Sequence, residues 1–462
     1  MQFWNTKTKQ LEDFKPISPE EVGLYSCGPT VYSPPTLGNM RSYVFSDILH
    51  RSLELFGFKV KHVMNITDVG HLVGDGDDGE DKVEREAREK GITAWDIAKE
   101  FEALFKQNLD ELNIKRPEIM PRATDHIDEQ IDLIQELEQK GFTYKITDGV
   151  YFDTSKFADY GKFSGQKLEE KQEGARVESN PEKRNPADFA LWKFSPVDEK
   201  RHMEWMSPWG KGFPGWHVEC SAMSVKYLRQ PFDIHTGGID HIPVHHENEI
   251  AQSVAAHDRP LANFWLHNEF LLVDGRRMGK SEGNAYTIQD ILDKGFDPLA
   301  FRYYCLGTHY RSKMNFTWEG LEAASHALSN IKAKARELPL LDAGPKIGEI
   351  EWKEKFEMAI GDDLNTPQAL AIMWDILKSD ITDEEKASLL SNMDKIFGLR
   401  LMEAIGKRID IPDEIQKLAE RRQTVRLAKD WQTSDELRDK LKGKGWQIED
   451  GEDGSFSLHP SK

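Results

Sequence analysis

The chain has 462 residues, with 61 lysines and arginines against 80 aspartates and glutamates, a net charge of −19. At about 150 residues per domain it holds roughly three domains, and its charge excludes a protein that coats nucleic acid or anionic membrane by bulk attraction, though not one with a local basic face. Cys27, Cys220 and Cys305 are too sparse for a disulfide framework, and neither an apolar run of about 18 residues nor a signal-like amino terminus is present, so a cytoplasmic chain without a membrane span is expected.

Val22–Cys27 and Val60–Ile66 read as buried strands. Between them Met40–Phe56 carries Val44, Ile48, Leu49, Leu53 and Phe56 at helical spacing, closed by Gly57. Strand, glycine-bearing turn, helix and strand make a βαβ unit, which implies a parallel sheet and an α/β fold. Asp75–Glu89 is acidic and reads as solvated. Residues 115–205 read as an insertion, with a helix at Asp125–Lys140, a β region at Thr143–Phe152 and a Lys/Glu/Gly-rich stretch ending near Pro186. The α/β pattern then returns with a strand at Phe232–His235 and a helix at His245–Ala256. From Leu321 the chain turns all-helical, with Leu321, Ala324, Leu328, Ile331, Ala335 and Leu338 on one face up to Pro339, and further helices around 352–360, 367–378 and 384–398. A last unit starts near Pro412, with helices at 413–430 and 434–442 and a hairpin across Asp-Gly turns in WQIEDGEDGSFSL.

In HTGGIDHIPVHHENE, a helix starting near Val244 puts His245 and Glu249 four residues apart on one face. That pair suits one divalent metal, and it equally suits an ordinary ion pair on a helix surface. Cys27 ends a predicted strand and Cys220 precedes the second α/β half; two thiolates, an imidazole and a carboxylate would meet zinc's tetrahedral demand, but no local ribbon spacing distinguishes them from buried cysteines. Cys305, in FRYYCLG, reads as a core residue.

Three glycine-bearing segments suit a nucleotide. Gly38 in the turn before the first helix lets backbone approach an anion at a helix N-terminus. Gly237-Gly238 with Asp240 is a second such turn, where the carboxylate would accept from ribose hydroxyls. Gly275–Asn284, with three glycines and three cations, is a loop able to fold over polyphosphate. Turn chemistry alone, or a solvated basic loop, accounts for each segment equally well at this level.

CGPTVY at 27–32, NITD at 65–68, RNPADFALWK at 184–193, PGWHVECSAM at 214–223 and HHENEIAQS at 245–253, as a set and in this order, resemble the cysteinyl-tRNA synthetase family of class I aminoacyl-tRNA synthetases. DDLNTPQAL at 362–370 is similar to the family's helical bundle and AKDWQTSDELRDKL at 428–441 to its anticodon-binding end. The resemblance covers essentially the whole chain. It implies an α/β fold with a Rossmann-like catalytic domain in two halves (1–114 and 206–320), a connective insertion (115–205), a helical bundle (321–405) and a small mixed α/β anticodon-binding domain (406–462).

The resemblance also implies the chemistry. Cys27, Cys220, His245 and Glu249 would hold one Zn2+, which ligates the substrate sulfur. Trp216 and Thr67 would line the amino-acid pocket, and Gly28, Thr30, Gly38, Gly237, Gly238 and Asp240 would bind ATP, accompanied by Mg2+. Thr36, Asn39 and Lys280 would be the catalytic groups on the phosphates. The implied partners are L-cysteine, ATP and tRNA(Cys), acting on a monomer with no membrane contact. Two other readings stay open: a cysteine ligase acting on a small amino-sugar, and a catalytically weakened synthetase-like paralogue that binds tRNA.

Both family signatures are altered. The first is usually His-Ile-Gly-His and here reads Thr36-Leu37-Gly38-Asn39; the second, usually Lys-Met-Ser-Lys-Ser, reads Arg277-Met278-Gly279-Lys280-Ser281. Losing one donor to the developing phosphate charge costs about 2.7–4 kcal/mol if nothing replaces it, and Arg41 and His71 are the nearby candidates to replace it.

In the tail, Arg422, Arg426 and Lys429 lie at i, i+4 and i+7 of a helix expected to end at Trp431. A solvated charged face is the plain reading of that stripe. With the resemblance, the cations become phosphate contacts, Trp431 a base-stacking platform, and Arg426, Asp435 and Asp450 readers of anticodon base edges. Residues 407–447 carry 11 cationic against 8 anionic side chains, whereas 75–112 carry 6 against 13, so the overall charge conceals a mildly basic end.

Overall fold

A computed structural model describes residues 1–70, 72, 81–165, 180–196, 201–279, 282–340, 349–407, 411–450 and 456–460. The chain forms two compact units, Met1–Ser325 with Lys355–Ala371, and His326–Glu354 with Ile372–Lys462.

The first unit opens with a hairpin, β1 (Gln2–Asn5) and β2 (Gln10–Asp13). Strand β3 (Val22–Ser26), helix α1 (Leu37–Leu55) and strand β4 (Val60–Met64) form the βαβ unit read from the sequence. Helix α1 starts three residues earlier than its apolar pattern suggests, because Thr36 and Asn39 form a capping box at its N-terminus. Helices α2 (Lys82–Lys90) and α3 (Ala94–Glu111) follow. The solvated reading of 75–89 is thus corrected in part: Val83 and Ala87 are buried on one face of α2, while 75–80 lie outside the described residues. The α3 pattern, Ile97, Phe101, Phe105 and Leu109, is helical in the sequence and was not anticipated above.

In the insertion, a short 3-10 turn leads into α4 (Ile127–Gln139), and β5 (Thr143–Ile146), β6 (Gly149–Phe152), β7 (Phe189–Phe194), β8 (Trp205–Ser207) and β9 (Gly210–Pro214) form an antiparallel sheet in the order β5-β6-β7-β9-β8. Helix α5 (Trp216–Leu228), β10 (Phe232–Gly238), α6 (Glu247–His257) and β11 (Ala262–Asn268) make the second α/β half. A π-helical turn at Ile242–His246 precedes α6, so the expected helix start near Val244 falls in that turn.

The central sheet is parallel throughout, in the order β11-β10-β3-β4. Its middle pair, β3 and β10, comes from different halves of the chain, with crossovers running outward on either side. In such a sheet the carboxyl ends of the middle strands face an open crevice, where ligands bind. Cys27 follows β3 and Gly237-Gly238 end β10, so both arrive at that crevice. Val22, Leu24, Phe45, Leu49, Ile234 and Leu266 fill the core on one side, and Tyr25, Val63, Cys220, Phe232 and Trp265 belong to the core on the other.

Beyond the sheet, β12 (Leu271–Val273) pairs antiparallel with β13 (Arg276–Arg277) and parallel with β14 (Met314–Phe316), with α7 (Ile288–Asp293) and α8 (Pro298–Leu306) between them in sequence. Helix α9 (Trp318–Glu337) runs from the first unit into the second, and α10 (Glu349–Gly361), α11 (Thr366–Lys378) and α12 (Asp383–Phe397) follow within a few residues of the expected bounds. The second unit ends with α13 (Asp413–Leu427), α14 (Trp431–Gly443) and the antiparallel pair β15 (Trp446–Asp450) and β16 (Phe456–Pro460), around a small core of Ile415, Ala419, Leu441, Ile448 and Leu458. Among the described residues no helix is long and apolar enough to cross a membrane.

Candidate active site

The crevice at the carboxyl ends of β3 and β10 is a cleft of about 400 Å³. Cys27, Gly28, Thr30, Thr36, Gly38, Asn39, Thr67, Trp216, Cys220, Gly237, Gly238, Asp240 and His245 all line it, and Glu249 is fully buried next to His245. Residues 211 positions apart in the chain therefore share one wall. Lys280 lies outside the described residues; Arg277, Met278 and Gly279 before it line the cleft.

Four ligand atoms, from Cys27, Cys220, His245 and Glu249, lie within 4.8 Å of one another. A second grouping, Cys27, His235, His246 and Glu249, meets the same distance and shares two of those residues. Glu249 sits 3.0 Å from His245 Nε2 through Oε1, and that buried oxygen has no hydrogen-bond partner. Its other oxygen is held by His235 Nε2 at 2.9 Å. His217 Nδ1 contacts His245 Nδ1 at 2.9 Å, which leaves His245 Nε2 facing the ligand cluster. Cys27 Sγ lies 3.2 Å from His246 Nε2, and His246 Nδ1 lies 2.7 Å from His267 Nε2. His217, His235, His246 and His267 were not singled out from sequence; the doubled histidine of HHENE was the only local signal for any of them.

The electrostatics of the cluster follow from its packing. A hydrogen bond from Cys27, opposed by burial and helped by His245, brings the Cys220 thiol down to about 6, whereas burial and the Cys220 contact push Cys27 well up. Burial disfavours charge on His245, yet Glu249 and Cys220 outweigh it and raise His245 to about 10. Burial alone would raise Glu249; His235 and His245 instead hold it far below the usual carboxylate range. The site thus favours one thiolate and a carboxylate, the form in which these groups bind a cation.

Close backbone approach explains two glycines. A Cβ on Gly28 would stand 1.6 Å from the Asn65 carbonyl oxygen, while the Gly28 N–H donates to Asn65 Oδ1 at 2.8 Å. A Cβ on Gly237 would stand 2.7 Å from both His241 and His246 ring atoms. Asn65 Nδ2 also donates to Thr67 Oγ1 at 3.0 Å, and Thr67 Oγ1 donates to the buried Glu219 Oε2 at 3.0 Å. Trp216 stacks on His245 with centroids 4.5 Å apart, which joins the aromatic wall to the ligand cluster.

The two altered signatures meet in space. The Thr36 hydroxyl donates to Asn39 Oδ1 at 2.8 Å and accepts from the Asn39 N–H at 3.3 Å, so this threonine caps α1. Leu37 N–H donates to Tyr286 O at 2.7 Å and Thr36 bridges Thr287, just beyond the second signature. Arg41 does not stand in for the missing histidine: it is 3% exposed and its guanidinium is taken up by backbone carbonyls. His71 lies outside the described residues.

In the second unit, Arg422 is 1% exposed and forms a two-pronged pair with Asp450 at 2.5 and 2.8 Å. Arg426 and Arg438 approach the same carboxylate at 3.2 and 3.3 Å. Lys429 lies beyond the end of α13 with φ of 61°, so the expected single helical face breaks before it. Trp431 opens α14 and is 58% exposed, and Asp435 is exposed on the same helix near Arg438.

Residues 13–326 match the family model described as tRNA synthetases class I (C) catalytic domain. The chain is 46% identical to cysteine–tRNA ligase 1 of Burkholderia lata over 98% of this chain and 95% of that one. It is 42% identical to cysteine–tRNA ligase of Treponema denticola over 96% of this chain and 97% of that protein. The chain belongs to the cysteine–tRNA ligase family of class I tRNA synthetases. It is therefore a ligase with the class I Rossmann-like α/β fold. That fold is shared with Mycobacterium tuberculosis methionyl-tRNA synthetase solved with methionyl-adenylate, at a TM-score of 0.54 and 15% identity, over 84% of this chain and 91% of that one.

Proposed function

We propose that this chain activates L-cysteine with ATP and transfers it to tRNA(Cys). The observation that carries the reading is the convergence of Cys27, Cys220, His245 and Glu249 in the same cleft as the capped N-terminus of α1 and the second-signature residues. Two sulfurs, an imidazole and a carboxylate make a donor set that suits zinc, and the partnerless buried Glu249 Oε1 fits a place for a cation. Zinc held there would supply a borderline-soft centre that ligates a substrate thiolate far better than a serine hydroxyl. Shape alone separates such similar side chains by only about 10²-fold.

The remaining steps belong to the chain's own residues. Trp216 forms the wall beside the side-chain end of the pocket, and Thr67, already donating to Glu219, offers its oxygen lone pairs toward the cleft. Gly28, Thr30, Gly38, Gly237 and Gly238 let the nucleotide approach the backbone, and Asp240 accepts from its ribose. A carboxylate oxygen of cysteine attacks the α-phosphorus, the bond to the bridging oxygen breaks, and pyrophosphate leaves with Mg2+. The free N–H groups at the start of α1, with Asn39, Lys280 and Arg277, stabilise the charge that builds on the phosphate oxygens. A terminal ribose hydroxyl of tRNA(Cys) then takes the cysteinyl group, losing its proton as AMP departs. Residues 406–462 take the anticodon, with Arg422, Arg426, Lys429, Trp431, Asp435 and Asp450 as its contacts.

The test is ATP–pyrophosphate exchange with cysteine and with serine, on protein of measured zinc content, followed by charging of a tRNA(Cys) transcript. Exchange with cysteine alone and subsequent charging are expected. Exchange without charging would favour the amino-sugar ligase; tRNA binding without exchange would favour the catalytically weakened paralogue.

A further inference from the structure

Arg41 sits on α1 two residues after Asn39 and is 3% exposed. Among the described residues no carboxylate pairs with it. Its Nη1 donates to Glu269 O at 2.6 Å and Phe270 O at 2.7 Å, and its Nη2 to Ser312 O at 2.6 Å, with Tyr310 O and His309 O each at 3.4 Å. The other buried arginines near this sheet behave differently: Arg51 and Arg302 both pair with Asp47. A buried cation satisfied only by main-chain carbonyls fixes the path of the backbone that offers them.

Those carbonyls belong to two segments. Glu269 and Phe270 connect β11 to β12 and line the cleft; His309, Tyr310 and Ser312 connect α8 to β14. The two segments are already joined, since Glu269 N–H donates to Tyr310 O at 2.8 Å and Met314 N–H to Phe270 O at 3.1 Å. Arg41 adds α1 to that junction. Strand β12 then leads through β13 into the second signature, whose far side returns to α1 at Leu37–Tyr286 and Thr36–Thr287. The signature segment is therefore tied to the first-signature helix at both ends, and Arg41 makes the tie at the outgoing end.

We propose that Arg41 is a positioning residue for ATP, setting the distance between the capped start of α1 and the strand pair that carries the second signature. The proposal rests on the reading of this cleft as the site of cysteine activation. Lysine cannot replace arginine here, because three donors on one nitrogen do not span two carbonyl-bearing segments as a planar fork does. The cysteine end of the pocket does not depend on this tie, since Cys27, Cys220, His245 and Glu249 are held by β3, α5, the π turn and α6.

The experiment compares Arg41→Lys and Arg41→Gln with Arg51→Lys, a buried arginine of the same helix that does not line the cleft. In cysteine-dependent exchange, Arg41→Lys should raise the KM for ATP and lower kcat, each by about tenfold or more, as for a displacement of reacting groups near 1 Å. Zinc content and the KM for cysteine should stay within about twofold of wild type, since no uniform loss is expected. Arg51→Lys should lower the melting temperature without changing the KM for ATP. Unchanged ATP kinetics in both Arg41 variants overturns the proposal, as does an equal ATP effect in Arg51→Lys or an equal rise in the KM for cysteine. Failure of both Arg41 variants to fold also overturns it, because Arg41 would then be a stability residue. A wild-type chain that shows no exchange refutes the reaction instead; equilibrium dialysis with ATP then decides the Arg41 question, with weaker binding in Arg41→Lys expected and equal binding overturning it.

Discussion

Cys220 is nearly fully buried, and the hydrogen bond from Cys27 together with His245 keeps its thiol near 6. A serine there loses both the soft sulfur and the easily formed anion. Cys220→Ser should reduce bound zinc and cysteine-dependent exchange together, by at least about 100-fold for exchange; metal analysis showing full zinc content would remove Cys220 from the ligand set. Gly28 is constrained in another way. With a Cβ meeting the Asn65 carbonyl oxygen at 1.6 Å, Gly28→Ala must move β3's end or the NITD segment. A loss of about 1–3 kcal/mol in unfolding free energy is expected, and a melting temperature equal to wild type would mean that the backbone relaxes freely.

Helix α1 links the two halves of the site, and Thr36 is its cap. Replacing a capping threonine by alanine costs about 1 kcal/mol, while serine keeps the oxygen. Thr36→Ala should therefore unfold at lower denaturant and lose exchange activity, and Thr36→Ser should recover both. If serine restored stability but not exchange, the methyl group or a direct ligand contact would be the feature that matters. The same capping box explains how a threonine serves at the first place of this signature: its hydroxyl holds the helix start in place, and the N–H groups there face the cleft in place of an imidazole.

Across the whole molecule, the net charge of −19 coexists with a last unit organised around one carboxylate. Asp450 is held below the usual carboxylate range, first by its hydrogen bonds from Arg422 and then by Arg426 and Arg438. A depressed carboxylate stabilises the fold above the unfolded value near pH 4 and loses that contribution as pH falls through the folded value. The melting temperature of this unit should thus drop on acidification below about pH 4, more steeply than in Asp450→Asn, which lacks the titrating group; parallel curves would count against the pairing. A small number of exposed cations on an acidic body also implies weak salt dependence for tRNA binding. Lys429→Ala should lessen the log–log salt slope by about one, and an unchanged slope would take Lys429 off the phosphate path.

The sequence by itself determined the βαβ start, the return to α/β after the insertion and the helical second half, because apolar periodicity reports which face of each element is buried. It also placed His245 and Glu249 four residues apart, and the ordered motifs singled out the residues that line the cleft. Only the tertiary structure decided which of three cysteines meet: β3 and β10 lie side by side by sheet order, which brings residue 27 to residues 245 and 249, and no local spacing encodes that adjacency. The same holds for Arg422, which a helical stripe of cations marks as a surface contact. Folding turns it inward because Asp450, on a strand 28 residues away, offers both carboxylate oxygens to its planar guanidinium. Arg41 was legible only as a spare cation until the fold surrounded it with carbonyls, since the partners of a buried charge are set by long-range packing rather than by its neighbours in the chain.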